Sequence, residues 1–260
     1  MSTRTFLALL CLCGLAVSID ADEPPKYQPI DKETIAAFEK LGADYGGFTL
    51  NRFGTILFSP VKNGVVKGLP GFRFAKLSDG NLSRLPPVQV PFGLELDDME
   101  RTVAGLKQLK NFKDLTMLSL VNTGLTDEAV KELKDLKNLI AIDLGATVVT
   151  DAGLKQLKNL NNLTSLHLWR ANVTDMGMKE LKNLNNLAYL DLGFTKVTDE
   201  GLQELKGLKK LTCLDFLNTN VTDAGLKELS SLKNLTILGL AYTEVTGTGV
   251  KQLKDLSNLT

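Results

Sequence analysis

Residues 163–186 read LTSLHLWRANVTDMGMKELKNLNN and are one copy of a unit that recurs along the chain. The first leucine of the unit recurs every 24 residues, at Leu115, Leu139, Leu163, Leu187, Leu211, Leu235 and Leu259. The shared pattern is L-x-x-L-x-L-x-x-T-x-V-T-D-x-G-L-x-x-L-x-x-L-x-N. A fixed period of roughly 20 to 50 residues is typical of a stacked array rather than of a globule with one central core.

Each half of the unit predicts one element. Leu166 and Leu168 are two residues apart, which is strand spacing, whereas Met178, Leu181 and Leu184 recur every three residues and share one helical face. One unit cannot bury its own apolar side, so neighbouring units must stack. Strands that a helix joins in this way are parallel. The predicted fold class is α/β, a curved solenoid with a parallel sheet on its concave face and helices on its convex face.

The start of each helix has its own signal. Thr174 can cap the helix, and Asp175 in the first turn favours the positive end of the helix dipole. The same Thr-Asp pair recurs in the neighbouring units.

The composition excludes some functional classes. Lys and Arg together number 30, as do Asp and Glu, so the formal net charge is zero. A nucleic-acid-binding protein is expected to show a basic excess, so we predict no nucleic-acid partner. No motif for a cofactor or small-molecule substrate is evident, and none is predicted.

The N-terminal residues are typical of a targeting signal. Arg4 precedes an apolar run at residues 6–17, which is too short to span a bilayer. We predict a signal peptide at 1–21, with an uncleaved anchor as the alternative, and a polar linker at 22–30. The mature chain is then expected to be secreted, or to lie in the periplasm or cell envelope. Cys213 is the one cysteine outside this leader, so an internal disulfide is not expected.

Residues 31–90 are predicted to form a cap helix and degenerate, β-rich repeats, and residues 91–260 the regular repeats. A helix over 31–41 would cover the open end of the array, because a terminal unit otherwise exposes an apolar face. Residues 45–50 and 69–74 match the strand half of the unit, 24 residues apart. Asn63-Gly64 between apolar residues predicts a hairpin turn.

The period places equivalent residues side by side on the concave sheet. His167 is then flanked by Asp143 and Asp191, and Trp169 lies between two glycines that leave its ring uncovered. Exposed Trp, Tyr and Arg in one cluster are typical of a binding hot spot. The predicted partner site comprises Asp143, His167, Trp169, Arg170, Tyr189, Asp191, Phe194, Asp215 and Tyr242.

Other interpretations of these residues stay open. The aspartates can simply keep the sheet soluble, and the lysines of the outer helices either form a solvated face or contact an anionic surface. A metal at His167 is disfavoured, since its neighbours form a row and not a closed shell. Catalysis is disfavoured because no nucleophile is at hand and the sheet does not exclude water. The two flanking carboxylates predict a raised pKa for His167.

The repeat resembles the leucine-rich-repeat family. The T-D-x-G-L segment is similar to that of the ribonuclease-inhibitor and F-box-associated subtypes and of bacterial secreted repeat proteins. The family usually has asparagine or cysteine after the strand, whereas this chain has threonine there, and Ala171 in one unit. The resemblance implies a non-enzymatic scaffold for protein recognition. The alternative that it implies is a substrate-recognition subunit of an F-box ubiquitin-ligase assembly.

The last residues, Leu259 and Thr260, begin a further unit. An uncapped end exposes strand backbone, so we expect either a truncated product or self-association through this edge.

Overall fold

The structure is a computed structural model that describes residues 27–98 and 103–260. The predicted signal peptide and most of the predicted linker lie outside these residues. The described strands are β1 Ala43–Leu50, β2 Ile56–Pro60, β3 Leu69–Phe74, β4 Phe92–Glu95, β5 Leu115–Ser119, β6 Ala141–Asp143, β7 Ser165–His167, β8 Tyr189–Asp191, β9 Cys213–Asp215 and β10 Ile237–Gly239.

The described helices are short. The α-helices are α1 Lys32–Lys40, α2 Asp79–Leu82, α3 Val103–Lys107, α4 Asp127–Val130, α5 Asp151–Leu157, α6 Asp175–Leu181, α7 Asp199–Leu202, α8 Asp223–Leu226 and α9 Gly247–Val250. The 3-10 helices are Gln108–Asn111, Lys131–Leu133, Gln203–Gly207, Lys227–Ser231 and Lys251–Leu253. Within the described ranges, every helix falls short of the length and hydrophobicity needed to span a membrane.

One sheet contains all the described strands, in the order β10-β9-β8-β7-β6-β5-β4-β3-β1-β2. Strands β3 to β10 are parallel, and residues 24 positions apart lie opposite each other from β5 onward. Ser165, for example, pairs with Ala141 on one side and with Tyr189 on the other. The predicted period, parallel sheet and solenoid are confirmed. The repeat leucines form one continuous core between the strands and the helices.

The Thr-Asp motif links consecutive repeats. Asp151 accepts hydrogen bonds from the backbone N–H and the hydroxyl of Thr174 in the next unit, at 2.8 and 2.7 Å. The same bonds join Asp127 to Thr150, Asp175 to Thr198, Asp199 to Thr222 and Asp223 to Thr246. The motif's glycine lies against this carboxylate, and a Cβ at Gly177 would collide with Asp151. The aspartate therefore acts between units, beyond the helix-end role that the sequence predicted.

Asparagine and threonine side chains also make equivalent hydrogen bonds in successive units. Asn186 donates its side-chain N–H to the carbonyl of Asn161, and the equivalent asparagines do the same in their units. The threonine after each strand, such as Thr195, donates its hydroxyl to the carbonyl three residues earlier. Ala171 has no hydroxyl for this bond. Threonine therefore satisfies the loop backbone within the unit, as the local bonding of this residue type suggests.

A helix, α1, lies where the sequence predicts a cap helix. Asp31 caps α1 by accepting from the Thr34 N–H at 2.8 Å, and the helix ends beside Gly42. Phe38 is fully buried and stacks on Phe72 of β3, with ring centroids 3.8 Å apart. The helix thus seals the first end of the core.

One of the two N-terminal repeat predictions is wrong. Strand β3 runs parallel to β4, as a repeat strand at 69–74 should. Strand β1, which contains 45–50, runs antiparallel to both β2 and β3 and is therefore part of a hairpin. Tyr45 of this strand packs against the main core, whereas Phe48 and Leu50 belong to a separate apolar cluster, so their spacing does not reflect a repeat strand. The turn at Asn63-Gly64 is confirmed, with both residues at positive φ.

The N-terminal hairpin, formed by β1 and β2, folds over the concave face of the sheet. Phe48 and Ile56 of the hairpin form a buried apolar cluster with Met117 and Ala141 of the sheet. The hairpin tip, residues 51–55, then reaches β7 and β8, where Ser165 donates its hydroxyl to the Gly54 carbonyl at 2.7 Å. The concave face is therefore partly covered by the chain itself.

Candidate functional site

The register brings the predicted charged row together. His167 lies opposite Asp143 on one side and Asp191 on the other, and Asp191 lies opposite Asp215. In the other direction the row continues through Ser119 to Glu95 and Arg73. The predicted order of side chains is confirmed.

The aspartates of this row have a structural role. Asp143, Asp191 and Asp215 each use Oδ1 to accept the backbone N–H two residues further on, at 2.8 to 2.9 Å. These bonds fix the turn that follows each strand. One carboxylate oxygen of each residue is therefore committed to its own unit.

His167 is not on an open surface, contrary to the sequence prediction. Its side chain is 5% exposed, and its Nδ1 lies 3.4 Å from Asp191 Oδ2. The hairpin tip covers it, since Gly54 is hydrogen-bonded to Ser165 on the same strand. The sequence did not predict this, because the tip precedes the repeats and carries no periodic signal.

The electrostatics of His167 follow from this position. Burial by itself would lower the pKa of His167, but the hydrogen bond to Asp191 and the charges of Asp143 and Asp191 outweigh it. The pKa of His167 is therefore raised, as predicted. Burial also raises the pKa of Asp143, against the opposing effect of His167.

Tyr189 is also partly covered, which corrects its placement in an open cluster. The tip packs directly on it, because a Cβ at Gly54 would collide with the Tyr189 side chain. Cys213 on the next strand is buried, and burial together with Asp215 raises the pKa of its thiol to about 12. A thiol with such a pKa is a poor nucleophile at neutral pH.

Trp169, Arg170 and Phe194 form the open part of the predicted site. The Arg170 guanidinium lies 4.8 Å from the Trp169 ring centroid and 5.0 Å from that of Phe194. The two rings meet edge to face, with centroids 6.4 Å apart. Trp169 is partly exposed, whereas Phe194 is 37% and Tyr242 77% exposed. The edge of the concave face thus carries aromatic and guanidinium groups in contact with solvent.

The backbone at these positions is unusual. Each strand end is followed by a residue in the left-handed region, and the column comprises Asp98, Asn122, Ala146, Arg170, Phe194, Asn218 and Tyr242, with φ between 52° and 58°. Asn and Asp adopt this conformation readily, whereas bulky side chains are strained there. Arg170, Phe194 and Tyr242 therefore occupy positions that favour a smaller polar residue.

Two adjoining cavities lie between the hairpin tip and the sheet, with volumes of about 400 and about 340 Å³. Both are bordered by Thr55, His167, Trp169 and Asp191. Asp97 and Asp143 line the first, and Phe53 and Asp215 line the second. The contributions of Phe53, Thr55 and Asp97 were not predicted from the sequence.

Two carboxyl groups near the start of the row, those of Glu95 and Asp97, have raised pKa values. Burial first, and then the charge of Asp97, raises the pKa of Glu95 to about 7. Burial raises the pKa of Asp97 to about 6, although its hydrogen bond from the Ser119 hydroxyl at 2.6 Å opposes the shift. The described residues contain no group of three His, Cys, Asp or Glu side chains placed to hold a metal ion.

Comparisons with known proteins agree with the fold. The family model described as Leucine Rich repeat matches residues 183–206. The structure of internalin C2 from Listeria monocytogenes is similar with a TM-score of 0.57 and 29% identity, over 70% of this chain and 82% of that one. The leucine-rich-repeat ectodomain of the Arabidopsis receptor kinase HAESA, solved with a peptide hormone, shares the fold. Its TM-score is 0.51 at 15% identity, over 65% of this chain and 32% of that one.

A comparison with curated proteins gives no match. The identification therefore depends on the repeat, the observed architecture and the matched family model. Together, the 24-residue period, the parallel sheet backed by short helices and the matched model show that this chain has the leucine-rich-repeat fold.

Proposed function

We propose that this protein is a non-catalytic scaffold that binds a partner protein at the edge of its concave sheet. The proposed contact surface, the aromatic edge, comprises Trp169, Arg170, Phe194 and Tyr242. Aromatic residues and arginine are enriched among the residues that dominate protein interfaces. His167 and Tyr189 lie under the hairpin tip and are not part of this exposed surface.

The observation that carries the proposal is the left-handed backbone at three of these residues. Arg170, Phe194 and Tyr242 have φ of 57° to 58°, although each side chain is large. Residues held in strained backbone conformations cluster at functional sites. A cluster of exposed aromatic groups is typical of a surface that binds a partner, so a contact with a partner explains it best.

Panning a random-peptide phage library tests this proposal without knowledge of the partner. Peptides enriched on the wild-type chain are expected to be lost on Trp169→Ala, Arg170→Ala and Phe194→Ala. Met176→Ala is the matched control, because Met176 is 62% exposed on α6 of the convex side. Equal enrichment on the wild type and on the three edge variants, all shown to be folded by circular dichroism, would contradict the proposal.

We also propose that the protein acts outside the cytoplasm, on the strength of the leader predicted at 1–21. Fractionation of cells expressing the tagged full-length chain should recover it outside the cytoplasm, whereas a version without residues 1–21 should remain inside. Cytoplasmic retention of the full-length chain would instead favour the F-box alternative.

A further inference from the structure

The cavities beneath the hairpin tip form one acidic groove. Its walls are the tip residues Phe53, Thr55 and Ile56 on one side and the charged row on the other. The row side carries Asp97, Asp143, His167, Asp191 and Asp215. Cavities of about 300 Å³ or more are large enough for small ligands or for a long side chain.

His167 gives independent evidence that something is missing from this groove. Its residue is 4% exposed, and its Nε2 makes no hydrogen bond within the part of the chain that the structure describes. Its Nδ1 faces Asp191, and the Gly54 backbone of the hairpin tip also acts on the ring and raises the pKa of His167. Buried polar side-chain atoms nearly always have a partner, so the unpaired ring nitrogen of a residue that borders both cavities points to a ligand.

The charges around the groove indicate whether that ligand is a cation or an anion. Asp143 on β6, Asp191 on β8 and Asp215 on β9 face the imidazole of β7, and from the tip Arg52 acts on the neighbouring Cys213. The carboxylates outnumber the basic groups, so the groove favours a cation over an anion. Each of these aspartates binds its own strand end through Oδ1, which leaves the second oxygen of Asp143 and of Asp215 for a ligand.

Trp169 favours a planar cation in particular. The indole borders both cavities, and a guanidinium already lies on it, that of Arg170 at 4.8 Å from the ring centroid. Guanidinium groups stack on aromatic faces and form paired hydrogen bonds with carboxylates, whereas an ammonium group acts as a compact point charge.

We propose that the acidic groove binds a basic side chain of the partner protein, with arginine preferred over lysine. This inference rests on the proposed function, because the side chain would come from the segment that contacts the aromatic edge. The guanidinium would donate to the free oxygens of the aspartates and to Nε2 of neutral His167. Protonation of His167 and binding of the cation therefore compete.

Titration with Nα-acetyl-arginine methylamide tests the groove directly. Trp169 is the only tryptophan and His167 the only histidine of the chain, so tryptophan fluorescence and the histidine NMR signals report on the groove alone. We expect a Kd of about 1 mM, which is the range of a small fragment. The citrulline analogue, which has the same shape without the charge, should bind at least about tenfold more weakly. The bound arginine compound should also lower the pKa of His167.

Charge variants locate the binding. Asp143→Asn and Asp191→Asn keep an Oδ1 acceptor for the strand-end bond and remove the charge, so each should weaken binding by about tenfold. Asp255→Asn removes the same charge from an exposed position outside the groove and should leave binding unchanged. Equal binding of the citrulline analogue, unchanged binding to both groove variants, or unperturbed Trp169 and His167 signals at about 10 mM would overturn the proposal.

The two proposals fail separately. If panning selects peptides that depend on the aromatic edge but lack basic residues, the groove proposal is wrong and the proposed function stands. If the arginine compound binds as described but panning selects no edge-dependent peptide, the groove is a cation site and the proposed function is wrong.

Discussion

Arg170 and Phe194 follow strand ends and have a left-handed backbone. Substitutions at these two residues can show whether their side chains serve binding at the expense of stability. Arg170→Asn and Phe194→Asn replace strained bulky residues with one that tolerates positive φ. Each should raise the free energy of unfolding by about 0.5 to 1 kcal/mol in urea titrations, because the left-handed conformation costs bulky residues more. The same variants should lose the peptides selected by panning.

The reverse substitution is the control. Asn218→Phe places a bulky residue at the same kind of position, with φ of 52°, and should lower the free energy of unfolding by a similar amount. If Arg170→Asn and Phe194→Asn are destabilised instead, their side chains stabilise the monomer and the functional interpretation loses its main support.

The glycine of the T-D-x-G motif makes a second prediction at this scale. Gly177→Ala should destabilise the protein by about 2 kcal/mol or more, because its Cβ would collide with Asp151 and displace the bonds to Thr174. Gly124→Ala is the matched control, since no heavy atom lies within 4 Å of the position that its Cβ would take. Thermal unfolding followed by circular dichroism measures both variants, and equal midpoints would refute this explanation of the motif.

The sequence predicted which residues share the concave row but not which of them are exposed. The neighbours of His167 followed from the period alone, and the raised pKa followed from those neighbours. The burial of His167 depends on Gly54, which lies 113 positions earlier and outside the repeats. Periodicity reports contacts between units, so it cannot report a contact made by a segment that has no period.

At the scale of elements, the hairpin tip depends on one glycine. Gly54 has φ of 77° and lies against Tyr189, so Gly54→Ala combines backbone strain with a steric collision. We expect the tip to lift from the sheet, with faster amide hydrogen exchange at residues 51–55 and greater quenching of Trp169 fluorescence by iodide. The core of the repeats should keep its slow exchange.

Gly64→Ala separates the two effects. Gly64 has nearly the same φ, 76°, but nothing lies within 4 Å of its potential Cβ, so this variant carries the strain without the collision. Trp169 should be as accessible in Gly64→Ala as in the wild type. Equal accessibility in Gly54→Ala would show that the tip is not held by this contact.

Elements with a strong local signal were predicted well. Asp31 and Gly42 mark the two ends of α1, and Asn63-Gly64 marks a separate hairpin turn. These signals are reliable because a helix cap and a tight turn each require a particular backbone conformation. The direction of β1 was not predictable in the same way. An apolar spacing that fits a parallel repeat strand fits an antiparallel hairpin strand equally well, and only long-range pairing decides between them.

For the whole molecule, the raised pKa values predict a preference for mildly acidic solution. The native state holds a proton on Glu95 up to about pH 7, whereas the ordinary value is 4.5. The stability gained in this way is present below 4.5 and is lost as the pH rises through 7. Asp97 and His167 act in the same direction. Hydrogen bonds lower the pKa of Asp31 and Asp223, which act in the opposite direction only as the pH falls below the ordinary value of 3.8.

We therefore expect a higher midpoint of thermal unfolding at about pH 5 than at about pH 8. Glu95→Gln should reduce this difference, since it removes the group that must ionise in a buried position. Glu39→Gln removes an equal charge from the exposed surface of α1 and should leave the difference intact. A midpoint that rises steadily from pH 5 to pH 8 would contradict the assignment.

The reach of the N-terminal hairpin also acts as a ruler for the array. Its tip rests on β7 and β8 because a fixed number of strands, each about 4.8 Å wide, separates them from β3. Inserting one further 24-residue unit before β7 would preserve every bond between neighbouring units. The tip would then fall one unit short of His167 and seal a different residue instead. Gain or loss of a unit in this protein would therefore change what the groove recognises without any substitution inside the groove.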